Sequence, residues 1–283
     1  VSHVDHYENF PVASVLCPPA LRPAITAIYW FARTADDIAD EGDAPGAERR
    51  ARLDDYERAL GDAARGQVGT DWPEVFGPLA QAIARDRLPL PLLRDLLSAF
   101  RQDTHNPLYP DRAALLDYCS RSASPIGRLL LHLSAVEERE ALVQSDAICS
   151  ALQLINFWQD LSVDLPRGRC YLPLADARRH GLDPAADVPD GPAARALVRD
   201  LCAWARGLMR EGQALVHRLP GRFGWELRFV VQGGLAVLDK IQQRGFDALV
   251  HRPVVGAWDA PRLAWRALRM RRGGAVALAH DRA

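Results

Sequence analysis

Long apolar runs, paired cysteines and an excess charge of one sign are all missing from this 283-residue sequence. No stretch approaches the ~18 apolar residues that would suggest a membrane span. The opening residues Val1-Ser2-His3-Val4-Asp5 lack the basic and apolar regions of a secretory signal. The five cysteines (Cys17, Cys119, Cys149, Cys170 and Cys202) form an odd, scattered set with no Cys-x-x-Cys. That pattern argues against a disulfide framework and predicts a reduced, cytoplasmic setting. Lys and Arg number 35 against 36 Asp and Glu, a formal net charge of −1. A general nucleic-acid binder would carry a basic excess, so that class is disfavoured. There is no β-hairpin signal, no glycine-rich phosphate loop and no internal repeat.

What is present is helical. Hydrophobic residues make up 48% and charged residues 25%, ordinary for a globular chain. The length suits one large domain or two small ones, and none of the Pro/Gly breaks is long enough to be a linker. Ile28, Phe31, Ala32, Ala35, Ile38 and Ala39 recur at helical spacing. Similar patterns run over about 46–65, 73–86, 89–102, 111–132, 137–165, 192–218, 223–250 and 259–270. The expectation is an all-α single domain over residues 1–283. The end of the chain, Arg269-Met270-Arg271-Arg272-Gly273-Gly274, is basic and then glycine-rich. It reads as a frayed terminus in preference to a membrane-surface contact.

Two carboxylate clusters carry the chemistry. In Asp36-Asp37-Ile38-Ala39-Asp40 a helix brings three acids to one face, where they repel unless a cation lies between them. Tyr29 and Arg33 continue that stripe upstream. Hard oxygen donors at this spacing suit Mg²⁺, which takes one or two carboxylates per ion and completes its shell with water and phosphate. A solvated acidic face explains the spacing equally well. The second cluster shifts the balance. On a helical wheel Gln153, Asn156, Asp160 and Asp164 fall within about ±60° of one another, and the remainder is mostly apolar. A buried helix with a narrow acidic stripe needs a cation to face, because unpaired buried carboxylates are very costly. A structural salt-bridge network is the alternative. Two such helices facing across a bundle suit Mg²⁺-assisted loss of a diphosphate, which leaves a carbocation in need of a dry, aromatic-lined pocket. Phe10, Tyr29, Phe157 and Trp158 are candidates for the lining, and Arg167 and Arg169 for a diphosphate clamp.

In order, these motifs resemble the squalene/phytoene synthase family of head-to-head isoprenoid synthases. The segments that carry the likeness are His6-Tyr7-Glu8-Asn9-Phe10, Tyr29 to Asp40, Tyr118-Cys119 through Gly127, Gln153 to Asp164, and Arg167-Gly168-Arg169-x-Tyr171-Leu172-Pro173. The likeness covers about residues 5–255, leaving 256–283 as a C-terminal helix and tail. It implies an all-α isoprenoid synthase fold, a Mg²⁺ cofactor and a prenyl diphosphate substrate. With the residue reading it assigns Asp36, Asp37, Asp40, Asn156, Asp160 and Asp164 to metal. Gln153, Arg33, Arg167, Arg169, His6, Tyr29 and Phe157 fall to the substrate, and Tyr171 to an assisting role. Arg252 is a weaker member.

Within the family the wording is most similar to the branch from hopanoid-synthesis clusters, associated with hydroxysqualene synthase activity. That branch implies ionisation of presqualene diphosphate, rearrangement of the cation and quenching by water. The family's condensing members carry a tyrosine at one of the two positions after Tyr-Cys. Here Ser120 and Arg121 stand there, and Gln159 replaces an arginine that usually precedes the aspartate. The alternatives are condensation of two farnesyl diphosphates to presqualene diphosphate or squalene, and a non-catalytic assembly factor. A C30 lipid diphosphate as substrate implies loose peripheral association with the inner membrane.

Overall fold

The computed structural model describes residues 17–40, 42 and 44–270, so His6 and Phe10 lie outside the described residues. The expected all-α architecture is what it shows: among the described residues there is no strand, and Asp183 and Asp187 form an isolated bridge. The N-terminal half is built from α1 (Arg22–Asp40), α2 (Gly46–Ala63), α3 (Pro73–Asp86) and α4 (Leu90–Asp103). The apolar stripe of α1 (Ile28, Phe31, Ala35, Ile38) is buried with Leu53, Tyr56, Phe76, Leu79, Leu93 and Leu97 in one cluster. Burying one face leaves the other for the acids.

The second cluster surrounds α7 (Arg139–Gln159). It is assembled from α5 (Arg112–Ser122), α6 (Ser124–Leu133), α10 (Pro192–Gly212) and α11 (Gly221–Gln243), with the short α8 (Leu161–Asp164), α9 (Leu174–Arg179) and α12 (Ala260–Arg269) at the periphery. Residues Leu197, Val198, Leu201, Cys202, Ala205 and Met209 give α10 its inward stripe. The crossing of α10 over α7 is close. A Cβ on Gly212 would run into the carbonyl of Gln144 and the side chain of Ile148. Gly127 holds α6 equally near Ser145 and Cys149.

Several expected helices are shorter. The stretch 111–132 divides at Ala123, where α6 restarts with Pro125 in its first turn. The stretch 137–165 bends at Asp160 (φ −100°, ψ 10°) before α8. After Gln243 the backbone turns left-handed at Gly245 (φ 67°) and Phe246 (φ 64°), so 244–250 is not helix although its apolar spacing continues. Residues 213–217 tighten into a 3₁₀ turn. The five cysteines are free.

Candidate active site

The two acidic motifs meet. Asp40, at the C-terminal end of α1, and Asp164, at the end of α8, are held by the same side chain: Arg169 reaches Asp40 through Nη1 and Asp164 through Nη2, the latter at 2.9 Å. The loop that delivers Arg169 follows from the sequence. The chain leaves α8 through a 3₁₀ turn, reverses at Gly168 (φ 75°), and the Arg169 amide donates to the Asp164 carbonyl at 3.0 Å. A positive φ at that point favours glycine. The remaining acids each have a guanidinium. Arg33 pairs with Asp36 (3.5 Å) and Asp37 (2.8 Å) on its own helix. Arg252, arriving from beyond α11, grips Asp160 by Nε and by Nη2, the latter at 3.2 Å. The adjoining Gln159 donates to the Pro253 carbonyl at 2.6 Å, fixing that segment against the site.

Beside the acids lies an aromatic floor. Phe157 and Tyr171 stack face to face with centroids 3.7 Å apart and planes 6° apart. Tyr118 and Tyr109 pack around Tyr171 at 6.2 and 6.0 Å. Tyr118 donates to the buried Asp103 at 2.9 Å. Burial pushes the Asp103 carboxyl up to about 7; the Tyr118 hydrogen bond opposes the rise, and the charges of Asp40 and Asp36 add to it. Burial, resisted by Arg169, also raises the Asp164 carboxyl. The phenols of Tyr118, Tyr109 and Tyr171 are driven well above the usual tyrosine range, chiefly by burial.

Gln153 and Asn156 are half-buried on α7, two turns and one turn before Asp160, and Tyr29 is half-buried edge-on to Trp30 at 5.2 Å. Arg167 is exposed and joins no ion pair among the described residues, so the structure brings only one of the two loop arginines to the acids. Trp158 is a fully buried core residue. The sequence reading missed Asp103. Its signal was available, because Leu96, Ala99 and Asp103 lie at i, i+3 and i+7 and an acid on an apolar stripe is unusual.

The donor set is one of hard carboxylate oxygens, which suits a divalent cation. Among the described residues Arg33, Arg169 and Arg252 pair with Asp36, Asp37, Asp40, Asp160 and Asp164, and burial raises the Asp103 and Asp164 carboxyls. Among the described residues no three acid, His or Cys side chains converge enough to hold an ion alone.

The all-α fold is that of the squalene synthase-like isoprenoid synthases. The chain belongs to the squalene/phytoene synthase family, whose model matches residues 3–259. It is 41% identical over 169 residues to the hydroxysqualene synthase of Zymomonas mobilis, a match spanning 59% of this chain and about half, 54%, of that protein. The hydroxysqualene synthase of Sinorhizobium fredii is 34% identical, over 83% of this chain and 78% of its own. Among solved structures, the squalene synthase HpnC from Alicyclobacillus acidocaldarius superposes with a TM-score of 0.76 at 36% identity, covering 86% of this chain and 90% of that one.

Proposed function

We propose that this protein converts presqualene diphosphate and water to hydroxysqualene and diphosphate. The observation that carries the proposal is the Arg169 clasp, which joins the two acidic motifs next to the stacked Phe157 and Tyr171 rings. The carbon–oxygen bond of the substrate breaks heterolytically, and its electron pair leaves with the diphosphate. The cyclopropylcarbinyl cation rearranges, water forms the new carbon–oxygen bond, and its proton passes to solvent or to the released diphosphate. In this reading Asp36, Asp37, Asp40, Asp160 and Asp164, with Asn156, hold Mg²⁺, which when bound neutralises charge on the leaving group. Arg33 and Arg169 take diphosphate oxygens, with Arg167 and His6 as further contacts, and Gln153 orients the bound group.

The chain's own residues also protect the cation. Aromatic faces stabilise positive charge without reacting. Burial keeps the three phenols protonated, so they present no phenolate that could trap the cation before water does. The choice of water-quenching over condensation is supported by similarity to hydroxysqualene synthases and by Ser120 and Arg121. Ser120 is exposed and bonded to the Asp117 carbonyl. Arg121 turns to Gln102 (2.6 Å) and Ser98 (3.2 Å), so neither supplies a phenol. Incubation of the protein and Mg²⁺ with presqualene diphosphate, and separately with farnesyl diphosphate, tests the reading. Hydroxysqualene is expected from the first and no reaction from the second; consumption of farnesyl diphosphate alone would refute it. A C30 lipid substrate also calls for peripheral contact with a bilayer, since among the described residues no helix is long and apolar enough to cross one.

A further inference from the structure

The far end of the described chain is unlike the rest of the surface. Trp258 is 98% exposed, Trp265 56% and Leu268 63%, and Val250 and Val254 are also exposed. Trp265 and Leu268 are i, i+3 neighbours on the open side of α12, so their outward face is apolar where a surface helix normally presents polar groups. The inner side of α12 is already used: Ala267 is buried, and Arg228 of α11 donates to the Ala267 and Met270 carbonyls at 3.2 and 3.3 Å.

The charge along this segment is mostly basic. Between 252 and 270, Arg252, Arg262, Arg266 and Arg269 stand against Asp259 alone, and the sequence continues with Arg271 and Arg272, in a chain whose net charge is −1. Arg262 and Arg266 reach back to Asp239 at 3.6 and 2.7 Å, but that acid is shared with Arg206 as well. Arg269 lies over the Trp265 ring at 4.3 Å. Asp259 is itself neutralised by Lys240 at 2.7 Å, and Lys240 also donates to the Val254 carbonyl at 2.8 Å, which anchors the segment. Exposed tryptophans rimmed by arginines suit the boundary of an anionic bilayer, where indoles sit at headgroup depth and each cation gains from lipid charge.

We propose that residues 250–268 dock the protein on an anionic lipid surface through Val254, Trp258, Trp265 and Leu268. The same segment supplies Arg252 to Asp160 and the Pro253 carbonyl to Gln159, so docking sets the rim of the acid site at the bilayer. A hydrocarbon substrate then enters from lipid without crossing water. This last step rests on the proposed function; the docking itself does not.

The test is co-sedimentation of the full chain with vesicles of phosphatidylcholine, with and without phosphatidylglycerol, at low and high salt. The protein is expected to partition onto the anionic vesicles, and to lose at least about tenfold of that affinity when the anionic lipid is omitted or salt is raised. The double variant Trp258→Ala, Trp265→Ala is expected to lose at least about tenfold with unchanged circular dichroism and melting temperature, because both rings are exposed. Partition that is equal in variant and parent overturns the proposal, as does a parent that ignores anionic vesicles. A parent that is a dimer by light scattering, becomes monomeric in the double variant and never binds vesicles assigns the face to a second copy of the chain, and overturns it too. Vesicle binding without turnover of presqualene diphosphate refutes the proposed function and leaves the docking intact.

Discussion

Replacing Arg169 by alanine removes the link between the two acidic motifs, and the structure sets the size of the effect. Removing one partner from a buried pair costs ~3–5 kcal/mol, much of it for the charge left behind. Here the side chains of Arg169, Asp40 and Asp164 are 18%, 27% and 12% exposed, so water screens part of the loss. An expected destabilisation of about 1–3 kcal/mol follows. For a chain of this size that lowers the melting temperature by roughly 2–8 °C in metal-free buffer. Asp40 and Asp164 would then face each other unpaired, and added Mg²⁺ should recover part of the loss by binding the folded form. Arg169→Lys should fall between parent and alanine, because one ammonium cannot bridge two carboxylates in the planar forked geometry of a guanidinium. Calorimetry with and without Mg²⁺ measures both effects. An alanine variant as stable as the parent, or one indifferent to Mg²⁺, would refute the reasoning.

Three further outcomes follow from the same geometry. Asp103 has a folded-state value near 7 against an ordinary value near 4, so its contribution to stability is full below about pH 4 and lost as pH rises through about 7. Asp103→Asn, which keeps an acceptor for Tyr118, should therefore flatten the decline in stability over that window, measured by urea titration in chelator; an unchanged slope would contradict the burial argument. Tyr171→Phe should retain the stack on Phe157 and cost under ~1 kcal/mol, whereas Tyr171→Ala should cost ~2–4 kcal/mol and cut turnover steeply. Equal stability of the two variants would remove the aromatic floor from the account. Gly212→Ala should destabilise by ~1–3 kcal/mol because α10 cannot withdraw from the Gln144 carbonyl without loosening the α7 crossing; a neutral result in urea would mean the crossing yields.

Much of the helical framework was legible because apolar spacing reports it directly. Ile28, Phe31, Ala35, Ile38 and Ala39 of the α1 stripe are buried, the ranges 46–65, 73–86 and 89–102 fall on α2, α3 and α4, and the punctuation by Pro and Gly marks most connections. The bend at Asp160 was not legible, since Asp-Leu-Ser-Val-Asp contains no breaker. The break is defined by loss of helical geometry at a single residue. The six-residue α9 is too short to leave a period. Residue types suggested a cation facing the acids; the cations the structure sets against them are guanidiniums, in ion pairs that span 129 residues (Arg169 to Asp40) and 92 residues (Arg252 to Asp160). Pairings of that range come from packing and have no local signature. Arg167 shows the converse. Its place beside Arg169 suggested a pair of clamps, and a one-turn reversal at Gly168 directs only Arg169 to the acids.

Product analysis with purified presqualene diphosphate and Mg²⁺, comparing the parent with Asp36→Ala and Asp160→Ala, tests whether the two acidic motifs drive ionisation. Hydroxysqualene and diphosphate are expected from the parent, with no turnover in chelator and a loss of about two or more orders of magnitude in either variant with circular dichroism unchanged. Full turnover in either aspartate variant, or none in the parent, would contradict that role.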